Sequence, residues 1–174
     1  DLLESFLTQL DLKLKLTLVR RNSRSPFYSL MSLAKHVKEG GVLTFNVDAI
    51  FDYEDMAAFA EKMKDARYMK GKDMIMWAVE YFDGADENPA FMKMLPSGKI
   101  VDYGKDIDRC SHMFGQVRYC SAELLQLGAS LRDQGIRRIK YLIKYCIEQG
   151  YNVHAFKTKR FVYDLDTPED LEFI

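Results

Sequence analysis

The chain has little of the chemistry that cysteine and histidine usually build. Its three cysteines, Cys110, Cys120 and Cys146, show no CxxC spacing and no neighbouring pair of histidines. That argues against a zinc site and against a disulfide framework. An odd number of free thiols fits a reducing compartment, so a cytoplasmic protein is expected. His36, His112 and His154 are scattered and suggest no catalytic triad. A charge surplus is also missing: 25 Lys and Arg against 26 Asp and Glu leave a net charge of −1. Nothing there points to nucleic-acid binding. No apolar run is long enough to cross a bilayer. The opening Asp1-Leu2-Leu3-Glu4 lacks the basic-then-apolar order of a signal peptide.

What is present describes a folded domain. With 174 residues, 48% hydrophobic and 29% charged, residues 1–174 suffice for one substantial core and fall short of two ordinary domains. Leu2, Leu3, Phe6, Leu7 and Leu10 recur at helical spacing, and Leu12 to Val19 alternates as a strand does. Ser25-Pro26 opens a helix with Pro26 in its first turn and runs to Gly40-Gly41. Val42 to Asp48 reads as a buried strand of a parallel sheet, and Tyr53 to Arg67 as a helix. This alternation is that of an α/β protein, helices packed around a sheet. Asp73 to Tyr81 is a further strand. Ala90 to Leu95 and Lys99 to Tyr103 flank Pro96-Ser97-Gly98 as a hairpin. His112 to Tyr119 is a strand, Ser121 caps a helix to about Leu131, and Ile136 to Glu148 is another helix. Tyr151 to Phe156 and Arg160 to Tyr163 are closing strands, and Thr167-Pro168-Glu169-Asp170 starts a last helix.

Two acidic positions stand where a strand gives way to a loop. Asp48 ends the strand after Gly40-Gly41, and Asp164 and Asp166 bracket Leu165. Ligands of parallel sheets bind at the carboxyl ends of the strands. If the two strands end on one edge, their carboxylates can share a hard divalent cation. From its own stretch Asp48 is favoured as a turn or helix cap, and Asp166-Thr167-Pro168 reads as a plain helix start, which does not require an acid at both 164 and 166.

These residues resemble a family, the nucleotidyltransferases that join a nucleoside triphosphate to a phosphorylated sugar or small alcohol. The likeness is greatest to the phosphocholine and inositol-1-phosphate cytidylyltransferase branch. Ser25 to Ala34 resembles its "N-x-YSL-x-x-A" helix start, and Leu43 to Phe51 its "hxNGDhhF" strand. Ser97 to Lys105 is similar to its "dGrhhdhgK" hairpin, and Tyr163 to Leu171 to "hDIDTPEDL". The resemblance implies a three-layer α/β/α sandwich with a mostly parallel, mixed sheet of the nucleotide-diphospho-sugar transferase (GT-A-like) kind. It implies Mg²⁺ held by Asp48 and Asp166, with Asp164 as the alternative second ligand. It also implies Lys105 facing the acceptor phosphate and Ser29 near the nucleotide. Without the resemblance, Lys105 is a solvated loop lysine and Ser29 a small residue packed in its helix. The implied partners are a nucleoside triphosphate, CTP first, and a phosphorylated alcohol or sugar.

The family's Gly-rich loop and catalytic lysine have no counterpart here. The expectation is therefore a domain whose NTP-binding portion lies upstream of residue 1. Val47 stands where the family has Gly before the metal-binding aspartate, and no "EKP" signature is present. Alternatives are a glycosyltransferase of related topology and a catalytically silent domain that keeps the fold for binding.

Overall fold

The computed structural model describes residues 22–46, 48–64, 71–81, 88–158, 160 and 162–164, together with Ser5, Phe6, Gln9 and Val19. All but Ser5, Phe6 and Gln9 of the amino-terminal helix, all but Val19 of the strand at 12–19, and the helix expected from Thr167 lie outside these residues. The elements are α1 (Pro26–Ser32), β1 (Gly41–Phe45), β2 (Ala49–Ile50), α2 (Tyr53–Lys64), β3 (Asp73–Glu80), β4 (Phe91–Met94) and β5 (Ile100–Gly104). They continue with β6 (His112–Ser121), α3 (Ala122–Asp133), α4 (Ile139–Glu148), β7 (Asn152–Thr158) and β8 (Tyr163–Asp164).

β3 has seven of its eight residues buried because it sits between β6 and β7 and is covered on both faces. Its even positions, Met74, Met76 and Ala78, pack with Phe27, Leu124, Leu142 and Ile143 under α1, α3 and α4. Its odd positions, Ile75, Trp77 and Val79, pack with Phe59 of α2 and Val162 on the other face. The period-two alternation of one strand thus feeds two cores, and three layers result. Gly128 keeps the helical layer tight: a Cβ there would meet Met31 Sδ at 2.6 Å. No helix among the described residues is long and apolar enough to cross a membrane.

The sheet runs β5-β4-β6-β3-β7, with β1 also paired to β6. It is mixed, but its parallel share is smaller than the helix–strand alternation implies. β3–β7 is a parallel ladder, whereas β1, β3 and β4 all run antiparallel to β6. β1 is accordingly not a buried parallel strand. It is half-buried, because among the described residues it pairs on one side only. The first helix also stops early, at Ser32, and passes into a 3₁₀ turn over Ala34–His36. There the Gln126 amide of α3 donates to the carbonyls of Ala34 and Val37, turning the chain onto α3. Ser25 precedes this helix without a capping hydrogen bond; its hydroxyl donates instead to the Arg137 carbonyl. Ser121 caps α3 as expected, accepting from the Leu124 N–H at 3.2 Å.

Candidate functional site

β6 carries two strands in succession on one edge. β3 occupies the other edge along nearly its whole length. β1 pairs with residues 117–121, and β4 begins at Phe91, opposite Met113, with the Phe114 N–H donating to the Ala90 carbonyl. Between Phe45, where β1 ends, and Ala90, where β4 approaches, no described residue pairs with this edge of β6, and the edge is broken there. β6 bulges at that break. Met76 pairs with Arg118 and Ala78 with Phe114, so two steps along β3 answer four along β6. Such bulges re-aim side chains beside functional sites. Gly115 makes this one possible, since a Cβ there would meet Trp77 Cδ1 at 2.8 Å. Gln116 adopts φ 65°, and its side-chain oxygen accepts from the Asn46 amide at 2.8 Å. The bulge therefore ties down the turn that leaves β1.

That turn bears Asp48. The Ala49 N–H donates to the Asn46 carbonyl at 3.4 Å, and the chain enters β2 at once. β2 pairs antiparallel with β8, Ala49 opposite Asp164 and Ile50 opposite Tyr163. By sheet geometry the backbones of Asp48 and Asp164 then lie roughly 6 Å apart. The two acidic stretches, more than a hundred positions apart in sequence, meet at one place. Asp48 Oδ1 is buried and has no hydrogen-bond partner among the described residues. An orphaned carboxylate oxygen next to a second acidic backbone position suits a hard cation, which takes oxygen ligands. Asp166 lies outside the described residues, and so does the Asp164 side chain. No group of three or more His, Cys, Asp or Glu poised for a metal occurs among the described residues.

The β2–β8 pair is held from the side. Arg160 forms ion pairs with Asp52 and with Glu54, the latter at 2.6 Å. Thr158 donates to the Asp55 carboxylate. Against the upward push of burial, the Asp55 and Glu54 N–H groups and the Arg160 guanidinium hold the Asp52 carboxyl below its usual range. The start of α2 is thus clamped to the segment leading into β8.

Lys105 follows β5. Gly104, Phe91 and Met113 form one row across the sheet, so Lys105 leaves β5 at the level of the broken edge. It is exposed and has no ion pair among the described residues. Its neighbour Asp106 binds Lys144 at 3.1 Å and Lys140 at 4.0 Å, and the Lys144 hydrogen bond leads in holding its carboxyl low. This fastens the hairpin end to α4. Ser29 is exposed on α1, its hydroxyl 2.5 Å from that of Ser23, rather than packed inside its helix. No hydrogen bond among the described residues links it to the Asp48 turn. Asn46 and Gln116 escaped sequence reading; a glycine inside a strand pattern, Gly115, was the available signal for the bulge.

No protein-family model matches the chain, and no curated protein matches it. Solved structures do. The inositol-1-phosphate CTP transferase from T. maritima superposes with a TM-score of 0.66 at 16% identity, over 83% of this chain and 57% of that one. The fold is that of the nucleotidyltransferases. A nucleoside-diphosphate-sugar pyrophosphorylase from Vibrio cholerae RC9 gives 0.59 at 16% identity, over 89% of this chain and 66% of that one. The CMP:2-keto-3-deoxy-manno-octonic acid synthetase complexed with CTP gives 0.63 at 12%, over 87% and 67%. The chain spans between 57% and 67% of the length of these three, and identities this low speak for the fold alone.

Proposed function

We propose that this chain is the core of a metal-dependent nucleotidyltransferase that moves a nucleoside monophosphate, CMP in first place, from a nucleoside triphosphate to a phosphorylated small alcohol or sugar. The observation that carries the reading is the Ala49–Asp164 pairing beside the orphaned Asp48 carboxylate oxygen. The fold shared with the cytidylyltransferases supports the reaction class.

Asp48 would hold Mg²⁺ together with Asp166, or with Asp164 in its place. A bound magnesium neutralises phosphate charge and aligns an in-line displacement. An oxygen of the acceptor phosphate would attack the α-phosphorus as the bond to the β-phosphate oxygen breaks, releasing pyrophosphate. The protein would contribute alignment, with no covalent intermediate. The Asn46–Gln116 bond would fix the turn that presents Asp48. Lys105, at the level of the broken edge, would approach the acceptor phosphate, and Ser29 would lie near the nucleotide.

The test is ³¹P NMR of the full-length protein with CTP, MgCl₂ and, in turn, phosphocholine and inositol 1-phosphate. Pyrophosphate and a CDP-linked product, lost in Asp48→Asn, are expected. Release of inorganic phosphate alone, or turnover unchanged in Asp48→Asn, contradicts the assignment.

A further inference from the structure

Arg118 lies on the face of β6 that packs under the α1, α3 and α4 layer, in the row of Thr44 and Met76. It is 8% exposed. Its guanidinium sits over the Phe114 ring, Cζ 4.7 Å from the ring centre. Its Nε is buried without a hydrogen-bond partner, and it forms no ion pair among the described residues. Phe114 is four residues back along β6, so the side chain runs from the Thr44 row towards the broken edge between β1 and β4. Tyr103 of β5 closes the far side, its ring perpendicular to Phe114 at 6.3 Å. Burial raises the Tyr103 hydroxyl pKa while the Arg118 charge opposes that rise, so the two groups are within electrostatic reach.

The energetics of this arrangement are one-sided. An arginine cannot shed its charge. Burying an ion without a counter-charge costs more than an aromatic face alone returns. Among the described residues no counter-charge faces this guanidinium, and a charge so placed asks for an anion.

We propose that Arg118 is an anion subsite: its guanidinium receives an oxyanion, carboxylate or phosphate, of the acceptor substrate entering through the break between Phe45 and Ala90. Naming the ligand as the acceptor rests on the nucleotidyltransferase reading; the anion site itself does not. Arg118 would then select acceptors by charge. A carboxylate or phosphate presents oxygens that match the guanidinium fork.

Calorimetric titration of the full-length protein with glycerol 3-phosphate and with 3-phosphoglycerate tests this. Both probes carry a phosphate, and the second adds a carboxylate. Arg118→Met is expected to weaken at least one probe tenfold or more. Equal losses for both assign the phosphate to Arg118, whereas a loss confined to 3-phosphoglycerate assigns the carboxylate. The thermal midpoint of Arg118→Met should hold or rise, since a shorter apolar chain replaces an unpaired buried charge. Arg118→Lys, which keeps the charge but loses the planar fork, should also fold and bind more weakly. Wild-type affinity in both variants, or no binding of either probe to the wild type, overturns the proposal. Mn²⁺ titration separates the two readings. Arg118-dependent anion binding without Asp48-dependent Mn²⁺ binding leaves the subsite standing and removes nucleotidyl transfer; the reverse removes the subsite alone.

Discussion

The two ends of β6 are built to different standards. At its carboxyl end, Ser121 is fully buried, and its hydroxyl accepts from the Asp73 N–H at 3.0 Å and the Leu124 N–H at 3.2 Å. One side chain joins β3 to α3 and closes a helix terminus. Nearer the amino end the ladder bulges, Gln116 takes a left-handed φ, and buried polar atoms of Arg118, Trp77 and Asp48 lack partners among the described residues; at the carboxyl end only the buried Asp73 Oδ2 does so. Proteins satisfy buried polar groups as a rule, and the exceptions concentrate where function requires them. The carboxyl end carries stability; the broken edge carries the candidate site.

Mutations at the two ends should therefore differ in what they cost and why. Ser121→Ala removes a cap and strands the buried Asp73 N–H, and should cost about 3 kcal/mol in chemical denaturation. Gln116→Val forces a β-branched residue into the left-handed region and should cost about 2 kcal/mol. Gln116→Gly, which tolerates that φ, should stay near neutral in the same assay. Asp73 sharpens the contrast from within the stable end. Burial raises its carboxyl pKa, only partly offset by Asn152 and His154. A raised acid pKa means the folded state holds the proton more tightly than the unfolded chain. Its contribution is full below the unfolded carboxylate value and is lost as pH rises through the folded one. Asp73→Asn should thus raise the thermal midpoint at pH 7 and lose that advantage on acidification below the unfolded value. The smallest stability effect should come from Asp48→Asn, whose midpoint should hold or rise because an unpartnered buried oxygen is relieved of charge. A clear loss there would break the comparison.

The buried thiols follow the same logic. Burial pushes Cys120 up to about 11 and Cys146 up to about 12. In mass spectrometry after iodoacetamide at pH 8, both should label far more slowly than Cys110, which is only partly buried.

Much of the fold was legible because its signals are local. The apolar run of β3, the Pro96-Ser97-Gly98 turn of the hairpin and the Ser121 cap each depend on residues adjacent in sequence. The position of β6 between β1 and β3 did not show, because antiparallel pairing over long separations leaves no local trace. For the same reason β1 read as a buried parallel strand. At the site, Asp48 and Asp164 were nominated from their places at strand ends, and the β2–β8 ladder puts their backbones side by side. Asp166 lies outside the described residues and stands as nominated. Within the strand expected over His112 to Tyr119 nothing local singles out Arg118; its burial follows only from Phe114 and Tyr103 being brought around it.

Nucleotidyl transfer as proposed requires Asp48 and the Asp164–Asp166 segment to form one metal site. Anomalous diffraction from crystals of the full-length protein grown with Mn²⁺ and a CDP-alcohol tests it directly. A peak within about 2.3 Å of an Asp48 oxygen and of a second aspartate from that segment, touching the diphosphate, is expected. A diphosphate bound elsewhere with no peak at Asp48, or the two carboxylates on opposite sides of the sheet, would contradict it.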